Sequence, residues 1–250
     1  MNTPNVWITG ASSGIGAALV REYANRGAQV FLTGRKPEAL DKVRVESGFP
    51  QRCHSVPADV TDSRALGRAI EHIEQTFGAI DVAVLNAGTY EQSGVDDFSS
   101  AAMRKLFEIN VFAVAETIEL LLPGWRKRRS GSFVIVGSVA GDFGLPYAAT
   151  YSAGKAALQR LSESLYPELK RDGISLHLVS PGFVDTPLTA KNDFPMPFMV
   201  STERAAYEIC RGVDKNKFEI RFPVRMSIAM RVLAALPYPL QFSLAKRMLK

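Results

Sequence analysis

Short apolar runs alternate with amphipathic stretches along the whole chain, and this alternation most limits what the sequence can fold into. Seven runs rich in β-branched or apolar residues predict strands within 5–10, 29–34, 53–60, 80–88, 131–138, 174–182 and 217–223. The stretches between them predict helices over 14–26, 37–46, 63–77, 101–122, 150–171 and 202–213. The intervening segments are long enough for right-handed crossovers between parallel strands. The pattern predicts an α/β fold with a doubly wound, seven-stranded, mainly parallel sheet and helices on both faces.

The chain is long and apolar enough for one sizeable core. It has 250 residues, of which 46% are hydrophobic, and α/β folds of this length often stay undivided. We predict a single catalytic domain over 1–223 and a basic, apolar helical extension over 224–250. Residues 186–201 are rich in proline and fit neither helix nor strand periodicity, so we predict a loop with one short helix, whose part 187–201 contacts the substrate.

The net charge of +5 belongs to the end of the chain. No acidic residue follows Glu219, whereas six basic residues do, and the first 219 residues sum to about −1. Because no basic face with interleaved aromatic residues appears elsewhere, nucleic acid is not a predicted partner. Two widely separated cysteines, Cys53 and Cys210, and three unclustered histidines lack metal-ligand spacing. We expect a reduced, cytoplasmic chain without a structural metal.

Three glycines lie between the first predicted strand and the first helix, at Gly10, Gly14 and Gly16. Glycine lets backbone approach a pyrophosphate, and the first N–H groups of a helix favour negative charge. Their spacing, G-x-x-x-G-x-G, differs from the G-x-G-x-x-G fingerprint of dinucleotide sites. The glycines alone therefore predict either a phosphate-binding turn or a tight structural turn.

The second predicted strand ends at Gly34 and Arg35, about where an acidic residue would hold the 2′-hydroxyl of an NAD ribose. A guanidinium pairs with phosphate oxygens through two hydrogen bonds. Arg35 therefore predicts NADP(H) as the preferred cofactor, with NAD(H) as the alternative. The structural explanation is that Arg35 is only a solvated arginine at a strand end, with Arg21, Arg26 and Lys36 nearby as alternative cations.

Tyr151 and Lys155 are four residues apart on a predicted helix, which puts them one turn apart on one face. Hydride reduction of a carbonyl leaves charge on its oxygen, which a positioned acid must neutralise. A tyrosine is such an acid if a nearby ammonium draws its pKa from about 10 toward neutral. Ser138 ends the fifth strand, where its hydroxyl can hydrogen-bond a substrate oxygen. Taken singly, each residue also has an ordinary structural explanation.

Several motifs occur in a fixed order: "TGASSGIG", "NAG", Asn110, Ser138, "YSAGK" and "PGFVDT". Together they are highly specific, and the chain resembles the short-chain dehydrogenase/reductase family over roughly residues 5–190. The resemblance implies a Rossmann-like fold and hydride transfer between a nicotinamide and a carbonyl or secondary alcohol. It implies a catalytic set of Asn110, Ser138, Tyr151 and Lys155, in which Asn110 holds a water linking Lys155 to solvent.

The resemblance also implies the cofactor contacts. Tyr151 and Lys155 contact the cofactor, Lys155 through the nicotinamide ribose. The pyrophosphate is bound by Gly10, Ser12, Ser13, Gly14, Ile15 and Gly16; the adenine by Asp59 and Val60; the central part by Asn86, Ala87 and Gly88; the nicotinamide by Pro181, Gly182, Val184 and Thr186. Many NADP-dependent relatives carry a basic residue at the position of Ser13, so the coenzyme prediction depends mainly on Arg35.

Apolar side chains on either side of Tyr151 predict a hydrophobic carbonyl or alcohol as substrate. They are Phe143, Leu145, Tyr147, Phe194, Met196, Phe198 and Met199, which alternatively only pack the loop down. A second enzymatic hypothesis is reduction of a β-ketoacyl group on a carrier protein, with an entrance formed by Arg104, Lys105 and residues 126–129. A hypothesis from another class is a non-catalytic NADP(H)-sensing or scaffold protein.

The last eleven residues predict a basic amphipathic helix. Leu240, Leu244 and Met248 lie on one face, and the other carries Ser243, Lys246, Arg247 and Lys250. Such a helix either lies on an anionic membrane surface or packs across a subunit interface. The family resemblance also implies a homodimer or homotetramer, usually formed through the long helices that hold Asn110 and Tyr151.

Overall fold

The computed structural model describes residues 3–249. Within them seven strands form one sheet: β1 Asn5–Thr9, β2 Gln29–Thr33, β3 Cys53–Ser55, β4 Val82–Leu85, β5 Ser132–Val136, β6 Ser175–Pro181 and β7 Glu219–Phe222. The strand order is β3-β2-β1-β4-β5-β6-β7, and all neighbouring pairs are parallel. The predicted fold class is confirmed. Because the order reverses between β1 and β4, a crevice opens at the carboxyl ends of these two strands.

Helices cover both faces of the sheet. They are α1 Gly14–Asn25, α2 Pro37–Glu46, α3 Ser63–Phe77, α4 Ser100–Phe107, α5 Ala113–Arg128, α6 Ala149–Arg171, α7 Thr202–Asp214, α8 Val224–Ala235 and α9 Tyr238–Lys246. Along β1, Val6 and Ile8 enter one core with α1, α2 and α7, whereas Trp7 enters the other with α3, α5 and α6. Alternate residues of a strand face opposite sides, so each central strand supplies both cores.

The helix predicted over 101–122 is longer and is interrupted. A π-helical segment, Glu108–Phe112, separates α4 from α5, and α5 continues through Pro123 to Arg128. The predicted end was wrong because Leu121 and Trp125 continue the buried stripe on both sides of the proline. Arg129 ends the helix in a left-handed conformation, with φ 53°.

The chain ends in two helices rather than the single one predicted over 240–250. Pro239 lies in the first turn of α9, where its missing N–H costs no helical hydrogen bond. The helix ends at Lys246, so Met248 lies beyond it, and Lys250 lies outside the described residues. None of the helices in residues 3–249 is long and apolar enough to cross a membrane. The predicted loop over 186–201 is confirmed, with one short 3₁₀ helix at Thr189–Lys191.

Candidate active site

The glycine turn packs directly against the segment after β4. Gly10 has φ +65°, and a Cβ there would lie 2.8 Å from the Cα of Ala87. A Cβ on Gly16 would overlap the carbonyl oxygen of Gly10. Both positions therefore need glycine for chain packing alone. The structural-turn explanation accounts for this part of the motif.

Within residues 3–249, no side chain accepts a hydrogen bond from the first N–H groups of α1. Ser13 is extended and makes no capping hydrogen bond, and the first turn holds no acidic residue. Ser12 and Ile15 are half-buried beside it. A Cβ on Gly14 would lie 3.1 Å from Cγ2 of Thr186, so the "PGFVDT" segment reaches the glycine turn. Free helical N–H groups of this kind suit a pyrophosphate.

The carboxyl ends of β2 and β3 lie beside this turn. A Cβ on Gly34 would lie 3.2 Å from Cδ2 of Leu40, so a larger side chain there must displace the leucine. Arg35 is exposed and forms no ion pair with any described residue. Asp59 Oδ1 accepts hydrogen bonds from the backbone N (3.0 Å) and the hydroxyl (2.9 Å) of Thr61, while Val60 is half-buried. A free cation and a carboxylate with one oxygen to spare fit the adenosine end of a dinucleotide.

Asn86 fastens the end of β4 to the end of β1. Its Nδ2 donates to the carbonyl oxygens of Thr9 and Gly10, both at 3.1 Å. The Thr9 hydroxyl accepts from the backbone N of Asn86 (3.1 Å) and of Ala87 (3.2 Å). Since β1 and β4 border the crevice, these bonds hold the "NAG" segment at its base.

Asn110 lies in the π-helical segment and is 1% exposed. Its Oδ1 accepts from the backbone N of Thr89 (2.8 Å), and its Nδ2 donates to the carbonyl oxygen of Thr89 (2.9 Å). A Cβ on Gly88 would lie 3.4 Å from this Oδ1. The side chain thus positions the backbone that follows the "NAG" motif, and the predicted water relay stays a prediction. π-Helical turns often occur at functional sites.

Ser138 and Lys155 meet at the carboxyl end of β5. The Ser138 hydroxyl accepts from the backbone N of Ala140 (3.1 Å) and donates to the carbonyl oxygen of Pro181 (3.5 Å). Lys155 is 6% exposed, and its Nζ donates to the carbonyl oxygen of Val136 (2.8 Å). Burial disfavours the charged ammonium and lowers the pKa of Lys155 to about 8.

Tyr151 joins the same cluster from the start of α6. Burial raises its pKa to about 12, although a hydrogen bond with Ser138 opposes the rise, and the nearby Tyr90 adds to it. The net pKa of Tyr151 therefore lies above its usual value of about 10 instead of being drawn toward neutral as expected, because desolvation of the phenol dominates. The phenol of Tyr151 is therefore protonated at neutral pH.

Sequence reasoning missed three residues around this cluster. The ring of Tyr90 meets Tyr151 edge-on, with centroids 5.1 Å apart. Gln159 donates through Nε2 to the carbonyl oxygen of Ser138 (3.2 Å) and to Oδ1 of Asp142 (2.9 Å). Gln159 lies four residues after Lys155, and this spacing on one helical face was the available signal. Nothing in the local sequence indicates Tyr90 or Asp142.

The predicted apolar lining divides into a buried part and an exposed part. Phe143 is buried with Val139, and Leu145 packs against their cluster. The rings of Phe183 and Phe194 lie 6.0 Å apart, and the Sδ of Met196 accepts from Asn192. Exposed at the loop are Phe198 and Met199. Phe143 therefore has the purely structural packing role that the alternative explanation predicts. Phe198 and Met199 at the tip of the loop do not, because they are exposed.

The basic run at 126–129 lies away from the site. It precedes β5 and so stands at the opposite edge of the sheet from Ser138. Arg126 pairs with Asp172 (2.8 Å), Arg128 donates to the carbonyl oxygen of Ile80, and Arg129 donates to that of Arg171 (2.9 Å). Three of the four basic side chains of this run therefore form contacts with neighbouring segments at this edge of the sheet. It does not form the predicted entrance for an acidic carrier protein.

Comparison with known proteins agrees with this geometry. The short chain dehydrogenase family model matches residues 4–195. An uncharacterized oxidoreductase of Myxococcus xanthus is 35% identical over 242 residues, 96% of each chain. A short-chain dehydrogenase from Streptomyces avermitilis superposes with TM-score 0.82 at 28% identity, covering 92% of both chains.

A second solved structure, a short-chain dehydrogenase from Sphingobium yanoikuyae in complex with NADPH, superposes with TM-score 0.78 at 25% identity, covering 94% of this chain and 97% of that one. The family model covers well over half of the chain, and the Myxococcus relative covers nearly all of it. The chain therefore belongs to the short-chain dehydrogenase/reductase family of oxidoreductases.

Proposed function

We propose that this enzyme transfers a hydride between NADP(H) and a carbonyl or secondary alcohol of a hydrophobic substrate, with Tyr151 as the general acid and base. The observation that carries the proposal is the clustering of three side chains: the Lys155 ammonium lies 5.6 Å from the Tyr151 ring centre, and Ser138 is near enough to Tyr151 to oppose the rise of its pKa. All three side chains lie at the carboxyl edge of the sheet, next to the glycine turn and the "PGFVDT" segment. The bound nicotinamide would supply or accept the hydride.

Each side chain of the cluster has a separate part in moving the proton. Tyr151 holds a proton on its Oη at neutral pH and donates it to the substrate oxygen during reduction. Ser138 donates a hydrogen bond to the same oxygen as charge develops there. Lys155 supplies a positive charge that stabilises the phenolate left behind. In the oxidation direction the phenolate takes the proton back.

Arg35 supports NADP(H) as the preferred coenzyme. Its guanidinium is exposed at the end of β2 and is free of ion pairs within residues 3–249, so a 2′-phosphate would meet no competing carboxylate. The Sphingobium relative was solved with NADPH. NAD(H) is the alternative coenzyme, because Ser13 occupies the position at which many NADP-dependent relatives carry a basic residue.

The apolar character of the loop supports a lipophilic substrate. Phe194 packs on Phe183 at the end of β6, and the loop around them carries Phe198 and Met199 at its surface. An apolar entrance with few charges favours bulky ketones over keto acids. We propose that the enzyme works in the cytoplasm as a homo-oligomer. Phe112 of the π-helical segment and Leu120 of α5 are exposed and offer apolar area for a contact between subunits.

The test is turnover of NADPH and, in parallel, NADH with carbonyls graded from small keto acids to bulky lipophilic ketones. We expect lipophilic ketones to be reduced with NADPH and to be poor substrates with NADH. Preference for small keto acids would overturn the substrate class. Binding of both coenzymes without turnover of any carbonyl or alcohol would overturn the catalytic assignment in favour of a sensor, and preference for a β-ketoacyl thioester would favour the carrier-protein hypothesis.

A further inference from the structure

Helix α9 buries a polar residue and exposes its apolar ones. Gln241 is 6% exposed, and its Nε2 donates to the carbonyl oxygens of Ala234 (3.1 Å) and Leu236 (2.7 Å) at the end of α8. The residues around it, Tyr238, Leu240 and Phe242, are each more than half exposed. A surface helix normally turns its apolar face inward. The inverted arrangement indicates that α9 faces an apolar environment outside this chain.

The preceding helix continues the same surface. Val224, Ile228 and Val232 of α8 are spaced by four residues and form one exposed stripe. The opposite face of α8 buries Met226 and Met230 against the segment after Ser138. We call the six exposed residues Val224, Ile228, Val232, Tyr238, Leu240 and Phe242 the tail surface. Exposed apolar residues gathered on two successive helices mark a candidate interaction site.

The charges around the tail surface have one sign. Arg225, Lys246 and Arg247 are exposed, and no carboxylate pairs with them within residues 3–249. Arg231 pairs with Glu219, the last acidic residue of the chain. In an isologous contact between two copies, these unpaired charges would gather near their symmetry mates and repel. The tail surface therefore fits a partner that can bury apolar side chains and that carries negative charge at its surface.

We infer that the tail surface lies on an anionic lipid bilayer, with α8 and α9 in the plane of the interface. Helices that expose apolar and basic residues together bind there through burial of the apolar side chains and attraction to acidic headgroups. This inference depends on the exposed side chains and their charges, and it holds whatever reaction the enzyme catalyses.

The start of α8, next to Val224 of the tail surface, contacts the loop that is predicted to bind the substrate. The Arg225 guanidinium lies 5.9 Å from the ring centre of Phe198, which is exposed at the loop tip. A Cβ on Gly182 would lie 3.0 Å from Cγ of Met226, so the same helix also backs the predicted nicotinamide segment. If the proposed reaction is right, a lipophilic carbonyl dissolved in the bilayer would approach the site from this side.

The test is flotation of the full chain with phosphatidylglycerol/phosphatidylcholine vesicles and with pure phosphatidylcholine vesicles. Two variants remove the proposed contacts: Leu240→Ser with Phe242→Ser, and Lys246→Glu with Arg247→Glu. Matched controls change exposed residues of the same character elsewhere: Val45→Ser with Val95→Ser, and Arg104→Glu with Lys105→Glu. NADPH binding and thermal unfolding verify that every variant is folded.

We expect the native chain and both controls to float with anionic vesicles, and neutral vesicles to bind weakly. Each tail variant should lose at least roughly tenfold in binding. One loses apolar side chains that would be buried in the interface, and the other loses basic residues that each add substantially to the affinity. Equal flotation of the tail variants and the controls would overturn the inference. So would absence of vesicle binding by the native chain, together with a light-scattering mass that falls in the tail variants, because a second copy would then cover the surface.

Discussion

Lys155 lies beneath Tyr151, with its Nζ 5.6 Å from the centre of the tyrosine ring and 2.8 Å from the carbonyl oxygen of Val136. The hydrogen bond to β5 fixes the ammonium in a buried position, where it affects the tyrosine through space. Both residues consequently have pKa values displaced by burial, the phenol upward and the ammonium downward. A strongly displaced pair in a crevice is typical of catalytic sites.

Replacing Tyr151 with Phe should lower kcat for carbonyl reduction by roughly 10²- to 10⁴-fold, since the proton donor is lost. NADPH binding, followed by fluorescence, should change little. The control is Tyr166→Phe on the same helix, whose ring packs on Phe218 with centroids 4.6 Å apart. Turnover of Tyr151→Phe within threefold of native would contradict the assignment.

Replacing Lys155 with Met should stabilise the protein while abolishing turnover. At pH 7 the buried ammonium is charged in both the folded and the unfolded state, and its lowered folded-state pKa means that folding carries a penalty. Removing the buried ammonium also removes its hydrogen bond to Val136. After that loss is subtracted, the free energy of unfolding should rise by about 1–3 kcal/mol. The gain should be full below pH 8 and shrink as pH rises from about 8 to 10.5, where the ammonium is neutral in both states. Urea unfolding at both ends of this range checks it; a loss of stability at pH 7 would argue that the charge is compensated.

The pH profile of carbonyl reduction should show the titration of Lys155. Tyr151 stays protonated up to about pH 12, whereas Lys155 loses its charge near pH 8. The value of kcat/KM, which reports the free enzyme, should therefore fall as pH rises through about 8. In Lys155→Arg, any residual activity should lack this fall because a guanidinium keeps its charge. A native profile that is flat from pH 7 to 9.5 would exclude this role.

Replacing Arg35 with Ala should weaken NADPH and leave NADH unaffected. A charged hydrogen-bonded contact contributes about 1.5–3 kcal/mol, so KM for NADPH should rise roughly 10- to 100-fold. Lys42→Ala is the matched control, because this exposed cation on α2 pairs only loosely with Glu46 at 3.8 Å. Equal changes for both coenzymes would show that Arg35 does not read the 2′-phosphate.

Replacing Arg221 with Met should destabilise the fold, because Arg221 and Asp142 form an ion pair with side chains only 9% and 10% exposed. Leaving the carboxylate buried without its partner should cost about 3–5 kcal/mol. The double variant Arg221→Met with Asp142→Leu should recover most of this loss. The control is Arg231→Met. It removes a partner of Glu219 whose side chain is 60% exposed, so it should lower the free energy of unfolding by less than about 1 kcal/mol. Denaturant unfolding of the native protein, Arg221→Met, Asp142→Leu and their double variant measures the coupling, and a double effect equal to the sum of the two single effects would refute it.

Local patterns in the chain were sufficient to predict the elements that build the site. Strand runs and helical periodicity predicted the seven-stranded sheet, and the turn after β1 was found from Gly10, Gly14 and Gly16. The motifs placed Ser138 and Tyr151 at the same edge, where the structure brings the two side chains near each other. These predictions succeed because periodicity, turn glycines and strand ends depend on neighbouring residues.

Other features depend on contacts between distant parts of the chain. The π-helical segment positions Asn110 against Thr89, 21 residues away, and Asp142 pairs with Arg221 across 79 residues. The direction of the Tyr151 pKa was mistaken because it depends on desolvation by residues that only folding brings around the phenol.

The sequence by itself determined the fold class and the family and predicted which side chains react, since all of these follow from residue order and spacing. Only the tertiary structure decided how buried each group is, which charge it meets, and that Gln241 turns inward while the apolar residues around it turn outward. The physical reason is that solvation, electrostatic energy and exposure are set by the whole environment of a group, which no local pattern contains.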